Sequence, residues 1–263
     1  MKYIYLILMI FGFQASGQVN PGPRYTALGS SGVALQDQWS VRKNQAGLSE
    51  INRIVAAVNY EQLFVDENIS FQSALIIFPA LKNVFALGIN RYGIAQFNQQ
   101  QISLACARKW GDVSVGIGFN YHQLKIQNYG SANALSVDAG FQFQLNESFI
   151  LGAHIANPSN GGFNNEVNAL VPVIIAFGSA WKLSDKILLT SEVQKILNSS
   201  ISFKFGTEYT LVEWLAARGG VSSNPMRQYF GFGILYRSFR FDASTYNQYY
   251  LGFVPQVGLS YEF

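Results

Sequence analysis

SISFKFGTEYTL, residues 200–211, decides the fold. Ile201, Phe203, Phe205, Tyr209 and Leu211 fall on one side of an extended chain; Ser202, Lys204, Gly206, Glu208 and Thr210 fall on the other. An amphipathic helix repeats at three and four residues, so this period of two marks a strand with one apolar face. VSVGIGFNYH, residues 113–122, repeats the pattern, with Val113, Val115, Ile117, Phe119 and Tyr121 opposite Ser114, Gly116, Gly118, Asn120 and His122.

Outward from these two segments, turn signals divide the chain into about fourteen strands. They fall near 53–63, 69–79, 83–92, 97–109, 112–125, 132–145, 148–157, 170–182, 186–197, 200–210, 213–222, 226–237, 239–246 and 251–263. A tilted strand needs about 10 residues to cross a bilayer, and each segment has close to that length. The pattern predicts an all-β fold, a transmembrane antiparallel β-barrel of about 14 strands. An even count puts both chain ends on one side, where bacterial barrels have their short turns. Asn146-Glu147, Ser184-Asp185 and Arg237-Ser238 are tight, whereas residues 126–131, 158–168 and 246–250 are roomier.

Composition agrees. Of 263 residues 49% are hydrophobic and 13% charged, well below the roughly one quarter charged in soluble domains, so something other than water faces part of the surface. No apolar run after the first residues is long enough for a membrane helix, which leaves a closed barrel to satisfy the backbone in lipid. Aromatics at 15% and 24 glycines suit pleated walls and crowded interiors. A net charge of +3 is too small to imply nucleic acid as a partner, and no basic cluster tracks a phosphate backbone.

Residues 1–17 read as a signal peptide: Lys2, an apolar run from Tyr3 to Phe13, then Ala15-Ser16-Gly17 as a small-x-small cleavage site. The expected location is therefore the outer membrane of a Gram-negative bacterium. Cys106, the only cysteine, lies in an apolar alternating stretch and reads as a structural thiol, buried or facing lipid.

Residues 18–52 do not alternate. Leu28, Val33, Ala34, Leu35, Trp39, Val41 and Leu48 make them too apolar for a solvated tail, so a plug segment inside the barrel of residues 53–263 is expected. The run Arg24-Tyr-Thr-Ala-Leu-Gly-Ser-Ser-Gly-Val-Ala-Leu-Gln-Asp37, followed by Asn44-Gln-Ala-Gly-Leu48, resembles the plug of FadL-like outer-membrane barrels, including the PorV-like members of the type IX secretion apparatus. The resemblance marks Arg24, Gly29, Gly32, Asp37, Asn44, Ala46, Gly47 and Leu48 as the plug motif. Gln45 stands where that motif usually has proline. The last strands, with Leu251-Gly-Phe253 and Val257-Gly-Leu-Ser-Tyr-Glu-Phe263, are similar too; Val257, Leu259, Tyr261 and Phe263 fit the C-terminal signal read by the barrel-insertion machinery.

Catalytic chemistry is sparse. His122 and His154 point inward on strands separated by one other, with no acidic or thiol partner in sequence to make a metal or catalytic site, and no cofactor motif is present. Gly116, Gly118, Gly231 and Gly233 read as room for the plug rather than as a nucleotide loop. The inward face carries Asp138, Glu192, Lys204, Glu208, Arg218, Arg240 and Asp242. A structural ladder is expected, Glu192, Lys204, Glu208 and Arg218 pairing across the wall and Arg240 and Arg237 gathering around Asp242 near the rim, because buried charges need partners. Tyr229, Tyr246, Tyr249, Tyr250 and Phe253 read as an interfacial girdle.

Two non-enzymatic functions follow. Short loops favour a PorV-like accessory subunit of a larger outer-membrane secretion or assembly complex, whose partners would be lipid and other outer-membrane proteins. The alternative is a FadL-like passive channel for small hydrophobic molecules, in which the plug around Asn44–Leu48 shifts and the ligand leaves through the wall.

Overall fold

A computed structural model of the chain describes residues 20–64, 69–163, 171–248 and 252–263. The proposed signal peptide lies outside them. Fourteen strands form one closed antiparallel barrel: β1 (Val55–Phe64), β2 (Ile69–Ala80), β3 (Asn83–Gly93), β4 (Phe97–Trp110), β5 (Val113–Ile126), β6 (Gly130–Asn146), β7 (Phe149–Ala156), β8 (Ile174–Ser184), β9 (Ile187–Ile196), β10 (Ile201–Val212), β11 (Leu215–Ser223), β12 (Met226–Tyr236), β13 (Phe239–Gln248) and β14 (Gly252–Glu262). Their number and type are those the period-two pattern predicts, with ends displaced by about four residues at most. Each strand pairs with its neighbours in sequence, and the ring closes where β1 meets β14, from Val55↔Glu262 to Glu61↔Gln256.

At the end of the barrel where β1 begins and β14 ends, β2–β3, β4–β5, β6–β7, β8–β9, β10–β11 and β12–β13 are each joined by two residues. Tight hairpin turns need positive φ, which Leu81, Lys82, Gly111 and Arg237 adopt. At the other end the β5–β6 connection is only Gln127–Tyr129, shorter than expected, because β6 extends its pairing back to Ile126↔Gly130.

Alternation sorts the two faces. Along β5, Ile117, Phe119 and Tyr121 are exposed while Ser114, Gly116, Gly118, Asn120 and His122 turn inward; along β10, Phe203 and Phe205 face out and Ser202 and Lys204 face in. The outward residues form a continuous apolar belt far larger than a water-soluble monomer exposes, and only lipid solvates it without penalty. Cys106 is part of that face, half-buried between outward Leu104 and Arg108.

Residues 20–52 occupy the lumen. They comprise a short helix α1 (Pro23–Ala27) and two 3-10 turns, Gln38–Arg42 and Gln45–Glu50. Asp37 caps the first turn, accepting from Trp39 N at 2.8 Å, and Asn44 caps the second, accepting from Ala46 N at 3.2 Å. Tyr25, Leu28, Trp39 and Leu48 are fully buried and pack against small inward residues of β1, β3 and β4 such as Ala57, Ala86 and Ala105. Large side chains on the plug thus meet small ones on the wall.

Candidate functional site

Two ionic clusters fasten plug to wall. In the first, Arg24 donates from Nε to Glu208 Oε2 at 2.9 Å and from Nη2 to Glu208 Oε1 at 2.8 Å, a fork-on-fork pair, while its Nη1 donates to Asp37 Oδ2 at 2.8 Å. Arg218 donates to the same Glu208 Oε2 at 2.5 Å and to Asp242 Oδ1 at 2.6 Å. Asp242, expected beside Arg240, is thus taken by Arg218. Gly233 on β12 leaves the space in which they meet, since a Cβ there would lie 2.6 Å from Asp242 Oδ1. Among the described residues Arg240 and Arg237 make no ion pair, and Arg237 lies over the Tyr236 ring instead.

The second cluster centres on Glu192 of β9. Its Oε1 accepts from Lys43 Nζ at 2.5 Å and Lys204 Nζ at 3.0 Å, and its Oε2 from the plug amides of Gly32 and Val33 at 3.0 and 3.1 Å. Lys204 also donates to Gln194 Oε1. In the plug, burial pulls the Lys43 ammonium down to about 8, against the attraction of Glu192 and with the repulsion of Lys204. Asp138, expected in the charge ladder, has polar rather than cationic partners: Asn120 Nδ2 at 2.9 Å and Asn157 N at 3.2 Å.

Backbone seating is equally close. Asn44 Nδ2 donates to Val33 O at 2.6 Å and to the wall carbonyls of Phe141 and Ala153 at 3.2 and 3.3 Å. A Cβ at Gly116 would overlap the Gln45–Ala46 peptide, and one at Gly140 would overlap Asn44 Oδ1. Gly231 leaves room for Ala27, and Gly118 for the Gln45 side chain. Gln45 is the first residue of its 3-10 turn, the position proline favours. Gly29 lies on the backbone of β10 and β11, Gly32 against Tyr25, and Gly47 against the Leu35 carbonyl and Ser40; Ala46 and Leu48 are wholly buried.

Beyond the plug, toward the end opposite the two-residue turns, the lumen opens into a cavity of about 140 Å³. Its sides differ. From β3 to β6 come Asn90, Gln101, Asn120, His122, Ser136 and Asp138; from β7, β8 and the residues before β8 come Ala156, Val171, Pro172, Ile174 and Ala176. Arg42, Lys43 and Lys204 lie at its base. Arg42 is held over the rings of Trp39 and Phe71 at 5.5 and 5.2 Å and donates to Asn90 Oδ1 at 3.3 Å. His122 Nε2 meets Ser136 Oγ at 2.9 Å, and His154 also reaches the cavity. Among the described residues no three His, Cys, Asp or Glu side chains gather as a metal would require.

Two expected girdle residues lie inside the barrel instead. Tyr229 and Tyr246 are 4% and 3% exposed, meet with tilted rings 5.6 Å apart and pack with Leu63, Phe71 and Val254, because their strand positions share the parity of the lumen face. Phe253 does face outward; Tyr249 and Tyr250 lie outside the described residues. Val257, Leu259 and Phe263 are exposed and Tyr261 half-buried on the outward face beside the seam.

On the lipid side of β6–β10 lies a groove of about 670 Å³ lined by Phe141, Phe143, Leu151, Phe177, Val193 and Phe205. Gly152 and Gly178 form its base, and Val33 of the plug sits directly behind them. One thickness of backbone therefore separates plug from groove.

No protein-family model matches the sequence, and no curated protein matches it. The fold has solved counterparts. The toluene transporter TbuX of Ralstonia pickettii superposes with a TM-score of 0.73 at 12% identity, over 92% of this chain and 98% of that one. A FadL homologue of Pseudomonas aeruginosa gives 0.67 at 11%, over 92% and 98%. The toluene transporter TodX of Pseudomonas putida gives 0.61 at 10%, over 92% and 97%. With nearly the whole of each chain aligned, this closed fourteen-stranded antiparallel barrel has the fold of the FadL-like outer-membrane barrels.

Proposed function

We propose that the protein is a non-enzymatic outer-membrane channel that admits small apolar or amphipathic molecules to its lumen. The observation that carries this reading is the cavity bounded on one side by the plug, with an apolar wall at Ala156, Ile174 and Ala176. The fold likeness to proteins described as toluene transporters supports it, and favours it over the expected accessory subunit. In this reading a shift of the plug around Val33 and Asn44–Leu48 opens a way from cavity to groove across β7–β9, and the solute leaves into lipid. Val257, Leu259, Tyr261 and Phe263 serve the barrel-insertion machinery.

Uptake tests the proposal. Gram-negative cells expressing the chain should accumulate radiolabelled toluene several-fold faster than cells carrying an empty vector. Equal rates, with the folded barrel present in the outer membrane, would refute the channel.

A further inference from the structure

At the base of the lumen cavity two lysines share one carboxylate, while the carboxylate that lines the cavity itself, Asp138, is held by Asn120 and Asn157 on the facing wall. Lys43 and Lys204 share one carboxylate oxygen of Glu192, whose other oxygen is occupied by two plug amides. Lys43 and Lys204 are each 8% exposed and Glu192 2%. Neither lysine has a second carboxylate partner among the described residues. Two ammonium groups against one carboxylate leave one buried charge without a counter-charge, the arrangement whose desolvation is hardest to offset.

His154 supplies an independent sign. It is 9% exposed, lines the same cavity, and its Nε2 has no hydrogen-bond partner. A buried ring nitrogen without a protein partner calls for an explanation, and one that faces a cavity can bond whatever enters it. Registers put these groups in one row: His154 opposite Ala176, and Ala176 opposite Gln194, to which Lys204 donates. Ile174 and Ala156 follow one step further along, toward Pro172.

We propose that this row binds the carboxylate of a small organic acid. The carboxylate accepts from Lys43 and Lys204 and from His154 Nε2–H, and the apolar body lies along Ala176, Ile174 and Pro172. The cavity's 140 Å³ is close to the roughly 150 Å³ in which an engineered apolar cavity holds benzene, so the body is about one ring in size. A carboxylate here supplies the missing negative charge in a site shielded from water, where charge-assisted hydrogen bonds are strong. This assignment rests on the channel reading and names its solute class.

Titration calorimetry on the full chain, folded in detergent, compares benzoate with benzyl alcohol and with benzylamine. Benzoate should bind at least about tenfold more tightly than benzyl alcohol, as expected of a charged rather than neutral hydrogen-bonded pair, and benzylamine should not bind. Lys204→Gln and, separately, Lys43→Gln should each weaken benzoate about tenfold and change benzyl alcohol little. Heat-dependent gel mobility confirms that each variant is folded. Equal affinity of the native chain for benzoate and benzyl alcohol would overturn the anion site, a result independent of whether either variant folds. Toluene accumulation by cells without any benzoate preference in vitro would remove this inference and leave the channel standing; failure of both would remove both.

Discussion

Arg24 of the plug and Glu208 of β10 are 184 residues apart in sequence and meet through two parallel N–H···O bonds of 2.8 and 2.9 Å. The pair is part-buried, and the other side of each partner is engaged, Arg24 by Asp37 and Glu208 by Arg218. Plug position is therefore fixed in two directions at once, along the barrel axis and around it, by a group whose geometry tolerates little rotation.

Arg24→Ala leaves Asp37 without its cation and Glu208 with Arg218 alone in a part-buried site. Breaking a fully buried pair costs about 3–5 kcal/mol and this part-buried one somewhat less, enough to loosen the plug while the strand ladder holds. In planar bilayers the variant should show a raised, noisy conductance, and its residues 20–52 should become sensitive to added protease. Arg24→Lys should restore only part of the native behaviour, because one ammonium cannot form the fork.

Gly116→Ala tests the close approach of plug to wall. A Cβ there overlaps the backbone of Gln45 and Ala46, which cannot turn aside as a side-chain end can. Overpacking of this kind costs about 1–3 kcal/mol, and a lower urea midpoint should record it. Gly219→Ala is the control: its nearest neighbour would be Tyr229 O at 3.9 Å, and its midpoint should not move.

Anion binding should depend on pH. With burial holding Lys43 near 8, its ammonium is charged at pH 7 and largely neutral at pH 9. Glu192 from β9, Lys204 from β10 and His154 from β7 are the titratable groups around it. Loss of the Lys43 charge leaves Lys204 balanced by Glu192, so benzoate affinity should fall by about tenfold between pH 7 and pH 9, while benzyl alcohol affinity stays level.

Phe263→Ala probes the seam. Phe263 N donates to Ile54 O at 2.9 Å, and its ring meets Tyr261 edge-on at 4.7 Å, next to the β1–β14 pairing. The proposed insertion role predicts that this variant accumulates less folded, heat-modifiable barrel in the outer membrane than the native chain, with unchanged synthesis.

The wall was legible in the sequence because lipid outside and a polar lumen inside impose opposite demands on alternate residues, and Ile201 to Leu211 or Val113 to His122 state those demands without ambiguity. The turns followed from glycine, asparagine and charge clusters. What the strands enclose was harder to read. Lys43 carries no signal of its own in Val41-Arg-Lys-Asn44, and its partner Glu192 is 149 residues away. Parity assigned Glu192, Lys204, Glu208, Arg218 and Asp242 to one face, yet which charge meets which depends on the plug's height and on spaces such as that over Gly233. Tyr229 and Tyr246 show the same limit. Composition placed them in a girdle; strand parity, which Tyr229 shares with Gly231 and Gly233, placed them inside.

Of the fourteen pairings, thirteen join consecutive strands and one, β1 with β14, joins residues about two hundred positions apart. The entropic cost of ring closure is therefore concentrated in this one pairing. The plug precedes β1 in the chain and its niches, among them Gly116, Gly140 and Gly220, lie on strands from both halves of the ring. Plug and wall therefore fit as mandrel and sleeve: the ring closes in register at a circumference that matches the girth of a segment of the same chain.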